Sequence, residues 1–155
     1  MTQIMQKLTV AFLAIFILSG CSSKKLNTSG SMASESESSL QADFEKNVGD
    51  RVFFTFDKSD LSRCAKVALE KQVAWLVTHP HVKATIEGHC DEKGTREYNL
   101  ALGERRANSV KHFLKHKGVD ANRVETISYG KERPAVIGND EKTHSQNRRA
   151  VTLVK

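Results

Sequence analysis

From residue 48 onward the chain predicts an α/β (α+β) sandwich, order βαβαββ, with a four-stranded mixed sheet and helices packed on one face. Three observations carry that prediction. Short runs rich in β-branched, aromatic or small apolar residues recur between residues 51 and 154. Two longer stretches between them space their apolar residues as a helix does. Each of these ends on a stop signal, His79-Pro80 in the first and Gly118 in the second.

Residues 51–56 are β-branched and aromatic, alternate little, and read as a buried strand. Asp57-Lys58-Ser59-Asp60 breaks the run, and either Asp60 or Ser62 caps the helix that follows. In that helix Ala65, Ala68, Leu69, Gln72, Val73 and Leu76 follow the i, i+3, i+4, i+7 pattern. Residues 82–88 form the second strand, with Val82, Ala84 and Ile86 on one face. The strand stops at Gly88, so the next loop is expected to project Asp91 into solvent. Thr95 reads as the N-cap of a helix over 96–117, with Glu97 in the favourable acidic first turn. Leu102, Val110, Phe113 and Leu114 fall on or near its apolar stripe. A third strand over 124–129, an irregular polar loop to Gln146 and a final strand over 149–154 complete the domain. Gly88 and Gly94 are assigned to turn geometry.

The N-terminus reads as a processing signal. Lys7 precedes an apolar run over residues 8–18, eleven residues where a membrane-spanning helix needs about 20. Residues 1–20 are therefore a signal peptide, and Leu18-Ser19-Gly20-Cys21 resembles a bacterial lipobox. That resemblance implies cleavage before Cys21 and its lipidation; the alternative is a secretory signal whose cysteine is incidental. Two or more acyl chains anchor stably, at roughly 0.8 kcal/mol per buried methylene. Ser22, rather than Asp, after the cysteine implies sorting to the outer membrane. Residues 21–47 then read as the lipidated N-terminus and a flexible linker, rich in Ser, Gly and small polar residues. Such a linker spans roughly 25–30 Å.

A formal charge of +6 raises the question of nucleic acid. The basic residues lie along helix faces among acidic neighbours, and with an export signal present no nucleic-acid partner is expected. His89-Cys90 is no nucleophilic dyad, because neighbours on a strand point to opposite faces. With no activated-serine motif or acid–base set, no enzyme is expected. His112 and His116, and the pair His79 and His81, lack a third ligand at metal-binding spacing, so no metal or other cofactor is expected.

The chemistry instead concentrates on Asp91 and Arg106, fifteen residues apart. A carboxylate and a guanidinium facing one cavity hold a zwitterion by both ends. The other reading makes Asp91 a loop cap and Arg106 a surface partner of Glu104 or Asp91. The run IEGHCDEKGTREYNLALGERRA, residues 86–107, resembles the peptidoglycan-binding signature of the OmpA-like domain family. FTFDKSD at 54–60, SYGKERPAV at 128–136 and NRRAV at 147–151 extend the resemblance over nearly the whole chain after residue 50. It implies a peptidoglycan-binding domain over 48–155 in which Asp91 and Arg106 hold the diaminopimelate of the stem peptide. Removing either is expected to abolish retention on cell wall without disturbing the fold. The family pattern puts Phe56 and Asp57 at the same pocket, though Phe56 is alternatively plain core. Thr95, Asn99 and Leu102 follow on the loop and first helical turns, and Leu102 alternatively packs beneath the site.

The lipoprotein members of that family imply more: an outer-membrane lipoprotein with its domain in the periplasm, tethering that membrane to the cell wall. They also imply the Tol envelope system, with TolB and TolA as partners, and a role in envelope integrity and cell division. The alternative is a wall-anchoring subunit of another envelope machine. The chain departs from the family pattern at Cys90, where Thr or Ala is commoner. With Cys21 lipidated, Cys64 and Cys90 remain as an even pair in an oxidising compartment. They read either as a disulfide, worth roughly 3–4 kcal/mol, or as two buried free thiols.

Overall fold

The computed structural model describes residues 29–155, with side chains from residue 37 onward. The signal peptide over 1–20 and the lipidation of Cys21 lie outside the described residues. The chain runs α1 (Ser29–Asn47), β1 (Arg51–Phe53), α2 (Arg63–Thr78), β2 (Ala84–His89) and α3 (Arg96–His116). A 3-10 turn (Ala121–Arg123), β3 (Val124–Gly130), α4 (Glu141–Asn147) and β4 (Arg149–Val154) complete it.

The strands form one mixed sheet in the order β1-β4-β2-β3. β4 lies between β1 and β2 and is antiparallel to both, pairing Val52 with Ala150 and Ile86 with Thr152. β2 and β3 are parallel, with Ala84 opposite Val124, and a parallel neighbour requires a crossover, which α3 supplies. Period-two alternation on the strands sends Val52, Ala84, Ile86, Ala150 and Val154 into one core with Leu69 and Leu76 of α2 and Val110 and Leu114 of α3. Ser62 caps α2 and Thr95 caps α3, each side-chain oxygen accepting a first-turn backbone N–H. A polar thread crosses the core: Thr152 Oγ1 donates to Gln72 Oε1, and Gln72 Nε2 donates to the Gly49 carbonyl.

Four expectations are corrected. The segment read as flexible linker to residue 47 contains α1, whose Phe44 is fully buried in the shared core. Leu40, Phe44 and Val48 recur every four residues and form an apolar stripe within an otherwise polar composition. Phe44 meets the Trp75 ring edge-on at 5.0 Å, Trp75 Nε1 donates to Asp43, and the Val154 amide donates to Gln41. The buried first strand is a three-residue edge strand with Arg51 and Phe53 exposed, because only β4 pairs with it. Part of the loop before the last strand is the helix α4, capped by Asp140, whose carboxylate accepts the Thr143 amide. Finally, Gly88 serves close packing rather than a turn. A Cβ there would lie 1.9 Å from the Gly103 carbonyl oxygen, so β2 and α3 touch backbone to backbone.

Candidate functional site

That contact positions the site. With α3 held hard against β2 at Gly103, Arg106 lies one turn further along the helix. Side chains tilt toward a helix's N-terminus, so the guanidinium of Arg106 reaches back toward the loop after β2. It is 0% exposed. Its Nη1 donates to the His89 carbonyl at 2.7 Å, Nε to Lys58 at 2.9 Å and Nη2 to Thr55 at 3.2 Å. The ring centroid of Phe54 lies 5.2 Å from its Cζ. Burial pulls its pKa below the usual arginine value, with Asp91 acting in the opposite direction, and a guanidinium nevertheless stays protonated. Three of its five N–H groups donate to carbonyls, and the Cys90 thiol stands against the same guanidinium.

Asp91 does not project into solvent; it is 4% exposed. Its Oδ2 accepts from Arg148 Nη1 at 3.1 Å and its Oδ1 from the Lys93 amide at 3.3 Å. No ion pair joins it to Arg106, and Glu104 turns instead to Asn108 and Thr126. The two charges nevertheless line one hollow of about 180 Å³, together with Phe56, Asp57, Lys93, Gly94, Tyr98, Asn99 and Leu102. Six of the seven ligand-binding residues expected from sequence therefore converge. Phe56, 52% exposed, forms rim rather than core, and Lys93 Nζ lies 5.4 Å from its ring centroid. Leu102 is buried and lines the hollow. Asp57, at a φ of +55°, occupies the left-handed region that Asp tolerates and accepts from the Tyr98 hydroxyl. Asn99 Nδ2 donates to the carbonyls of Lys93 and Thr95 and so ties the loop to the helix. Thr95 stands outside the lining; its hydroxyl caps α3 by accepting from the Tyr98 amide.

Sequence reasoning missed Tyr98 and Lys93 in the lining and, above all, Arg148, which holds Asp91 from outside it. Tyr98 and Lys93 lie within the run already singled out, and Arg148 within the NRRAV segment, so residue type and position were in view. Their orientation was not. The buried set of Asp91, Arg106 and Arg148 carries one net positive charge. It suits a carboxylate at Arg106, with an ammonium at the remaining lone pairs of Asp91 and Asp57.

The expected disulfide is absent: Cys64 is an exposed free thiol and Cys90 a buried one. Cys64 lies in the first turn of α2 beside β1, in a hollow with Val52 and Phe53. Cys90 turns toward the start of α3, where its Sγ donates to the Asn99 carbonyl at 3.3 Å, and burial pushes its pKa up. Among the described residues no three His, Cys, Asp or Glu side chains gather as a metal site, and no helix is long and apolar enough to cross a membrane.

Residues 53–148 match the OmpA family, and the chain belongs to that family. Several of its relatives carry the name peptidoglycan-associated lipoprotein. A peptidoglycan-associated lipoprotein of Agrobacterium fabrum is 45% identical over 161 residues, covering 97% of this chain and 91% of its own. The protein of that name from Pasteurella multocida is 44% identical, covering 95% and 98% respectively. The crystal structure of the peptidoglycan-associated lipoprotein from Burkholderia pseudomallei aligns with a TM-score of 0.69 at 36% identity, over 72% of this chain and 96% of that one.

Proposed function

We propose that this chain is a non-enzymatic outer-membrane lipoprotein that binds peptidoglycan and tethers the membrane to the cell wall. The names of its relatives support the coarser part of that reading. The observation that carries the finer part is the convergence of Asp91 and Arg106 on one small hollow. The stem-peptide diaminopimelate presents a carboxylate and an ammonium on one carbon. The guanidinium of Arg106 takes the carboxylate, and Asp91 with Asp57 takes the ammonium. Because Arg106 is already locked by three carbonyls, little side-chain entropy is lost when the guest arrives.

The mooring has three parts: lipid on Cys21, the segment through α1, and the clamp. α1 is helix rather than coil and its second half docks on the domain through Leu40 and Phe44, so the tether is shorter and stiffer than its composition suggests. The relatives' lipoprotein character favours membership of the Tol system, with TolB and TolA as partners, in envelope integrity and cell division.

Incubation with purified sacculus followed by sedimentation tests the clamp. Wild-type protein co-sediments; Asp91→Asn, of the same size but with the charge and one acceptor oxygen removed, stays in the supernatant. Equal sedimentation of the two proteins overturns the reading.

A further inference from the structure

Arg148 does not line the hollow, yet it is the residue most tightly tied to Asp91. Its side chain is 7% exposed and reaches in three directions. Nη1 donates to Asp91 Oδ2 at 3.1 Å, Nε to the Phe54 carbonyl at 3.3 Å, and Nη2 to Glu141 Oε1. The backbone is held too, since the Phe54 amide donates to the Arg148 carbonyl at 2.8 Å. Glu141 opens α4, and Asp140 caps that helix by accepting the Thr143 amide at 2.7 Å. A chain of contacts thus runs from the cap of α4 through Glu141 and Arg148 to the acid of the site.

We propose that Arg148 is a positioning residue, which fixes the carboxylate of Asp91 so that its uncommitted lone pairs face the ammonium of the guest. The inference rests on the clamp reading above and adds to it a residue and a role. Glu141 is what makes the arrangement work. A guanidinium facing Asp91 alone would close on both carboxylate oxygens in a bidentate pair and consume the acceptor sites the ligand needs. Drawn toward Glu141 on one side and Phe54 on another, Arg148 gives Asp91 a single hydrogen bond from Nη1. It neutralises the buried acid while leaving its acceptors open. The short polar helix α4, which touches the hollow's wall through Glu141 and Lys93 at 3.7 Å, is thereby coupled to recognition.

The role predicts a loss of selectivity rather than a general loss of binding. The probes are a diaminopimelate-containing tripeptide and the same tripeptide with its side-chain amine acetylated, titrated by calorimetry into the detergent-solubilised full chain. The wild type is expected to prefer the free amine by about tenfold or more, as a charge-assisted hydrogen bond provides. Asp91→Asn erases that ratio. Arg148→Lys, which keeps the charge but cannot reach three partners, also lowers it to near one, and the double variant lowers it no further. Arg148→Lys that weakens both probes alike, or neither, with the ratio intact, overturns the positioning role while the clamp stands. A wild type that binds neither probe overturns the clamp itself. Should Arg148→Lys fold poorly, Glu141→Gln on the exposed face of α4 decides by the same ratio: a fall supports the role and an unchanged value overturns it.

Discussion

Arg106 does two jobs with one guanidinium, and the structure separates them. Three N–H groups bind the carbonyls of Thr55 and Lys58, in the segment after β1, and of His89, at the end of β2, while the side chain also lines the hollow. Its removal is therefore expected to lower stability as well as binding. Arg106→Ala strands three carbonyls around a void and is expected to cost about 3–5 kcal/mol, read as a lowered denaturant midpoint. Asp91→Asn keeps the shape of its side chain but weakens the pair with Arg148, so its binding is read beside its own unfolding midpoint. His89 provides a second residue-scale prediction. Burial, with Arg149 and Arg133 nearby, lowers its pKa from 6.5 to about 4. Between those values the unfolded ring binds a proton that the folded ring refuses, so stability falls as pH drops through this window. The loss amounts to about 3 kcal/mol by pH 4. Glu87, whose carboxyl burial pushes up, acts with the opposite sign and lies 3.4 Å from the ring, so His89→Phe is compared with wild type in a Glu87→Gln background. The variant should lose less stability between pH 7 and pH 4.5; equal losses would remove the ring from the account.

At the scale of elements, legibility followed how strongly each segment declares its own period. β2, α3 and β4 carry clear alternation or a clear apolar stripe with capping residues, and their observed limits lie within two residues of those expected. The helices that were missed declare themselves weakly. α4 is seven residues of EKTHSQN with no apolar stripe, and it exists because Asp140 caps it and Glu141 pairs with Arg148. α1 hides Leu40 and Phe44 in a run of Ser, Glu and Gly, and Phe44 is held by Trp75, 31 residues away. Tertiary contact overrode composition in both cases. The consequence for α1 is measurable. Phe44→Ala should destabilise the domain by about 3–5 kcal/mol, as emptying a buried aromatic site does, where a floppy linker would show no change in thermal midpoint.

For the whole molecule, sheet order sets where the site lies. With β4 between β1 and β2, the end of β1, the loop after β2 and the start of β4 meet at one end of the sheet. Phe54, Asp91 and Arg148 become neighbours there although they span 94 residues of sequence. A guest bound across these segments ties them together and must stabilise the fold. Free diaminopimelate-containing tripeptide at a hundredfold excess over its Kd should raise stability by about 2.7 kcal/mol in wild type. At the same tripeptide concentration the thermal midpoint of Asp91→Asn should rise by less. The amino-acid sequence by itself determined the domain class, the principal strands and helices, and the identities of Asp91, Arg106, Asp57 and Asn99, because periodicity, capping and motif are local properties. Only the tertiary structure decided that Asp91 is buried, that its partner is Arg148 rather than Arg106, that Cys64 and Cys90 stay apart, and that α1 docks. Each of these depends on the direction of a side chain across a packed interface, and direction is settled by which backbones touch. Here the decisive touch is Gly88 against Gly103.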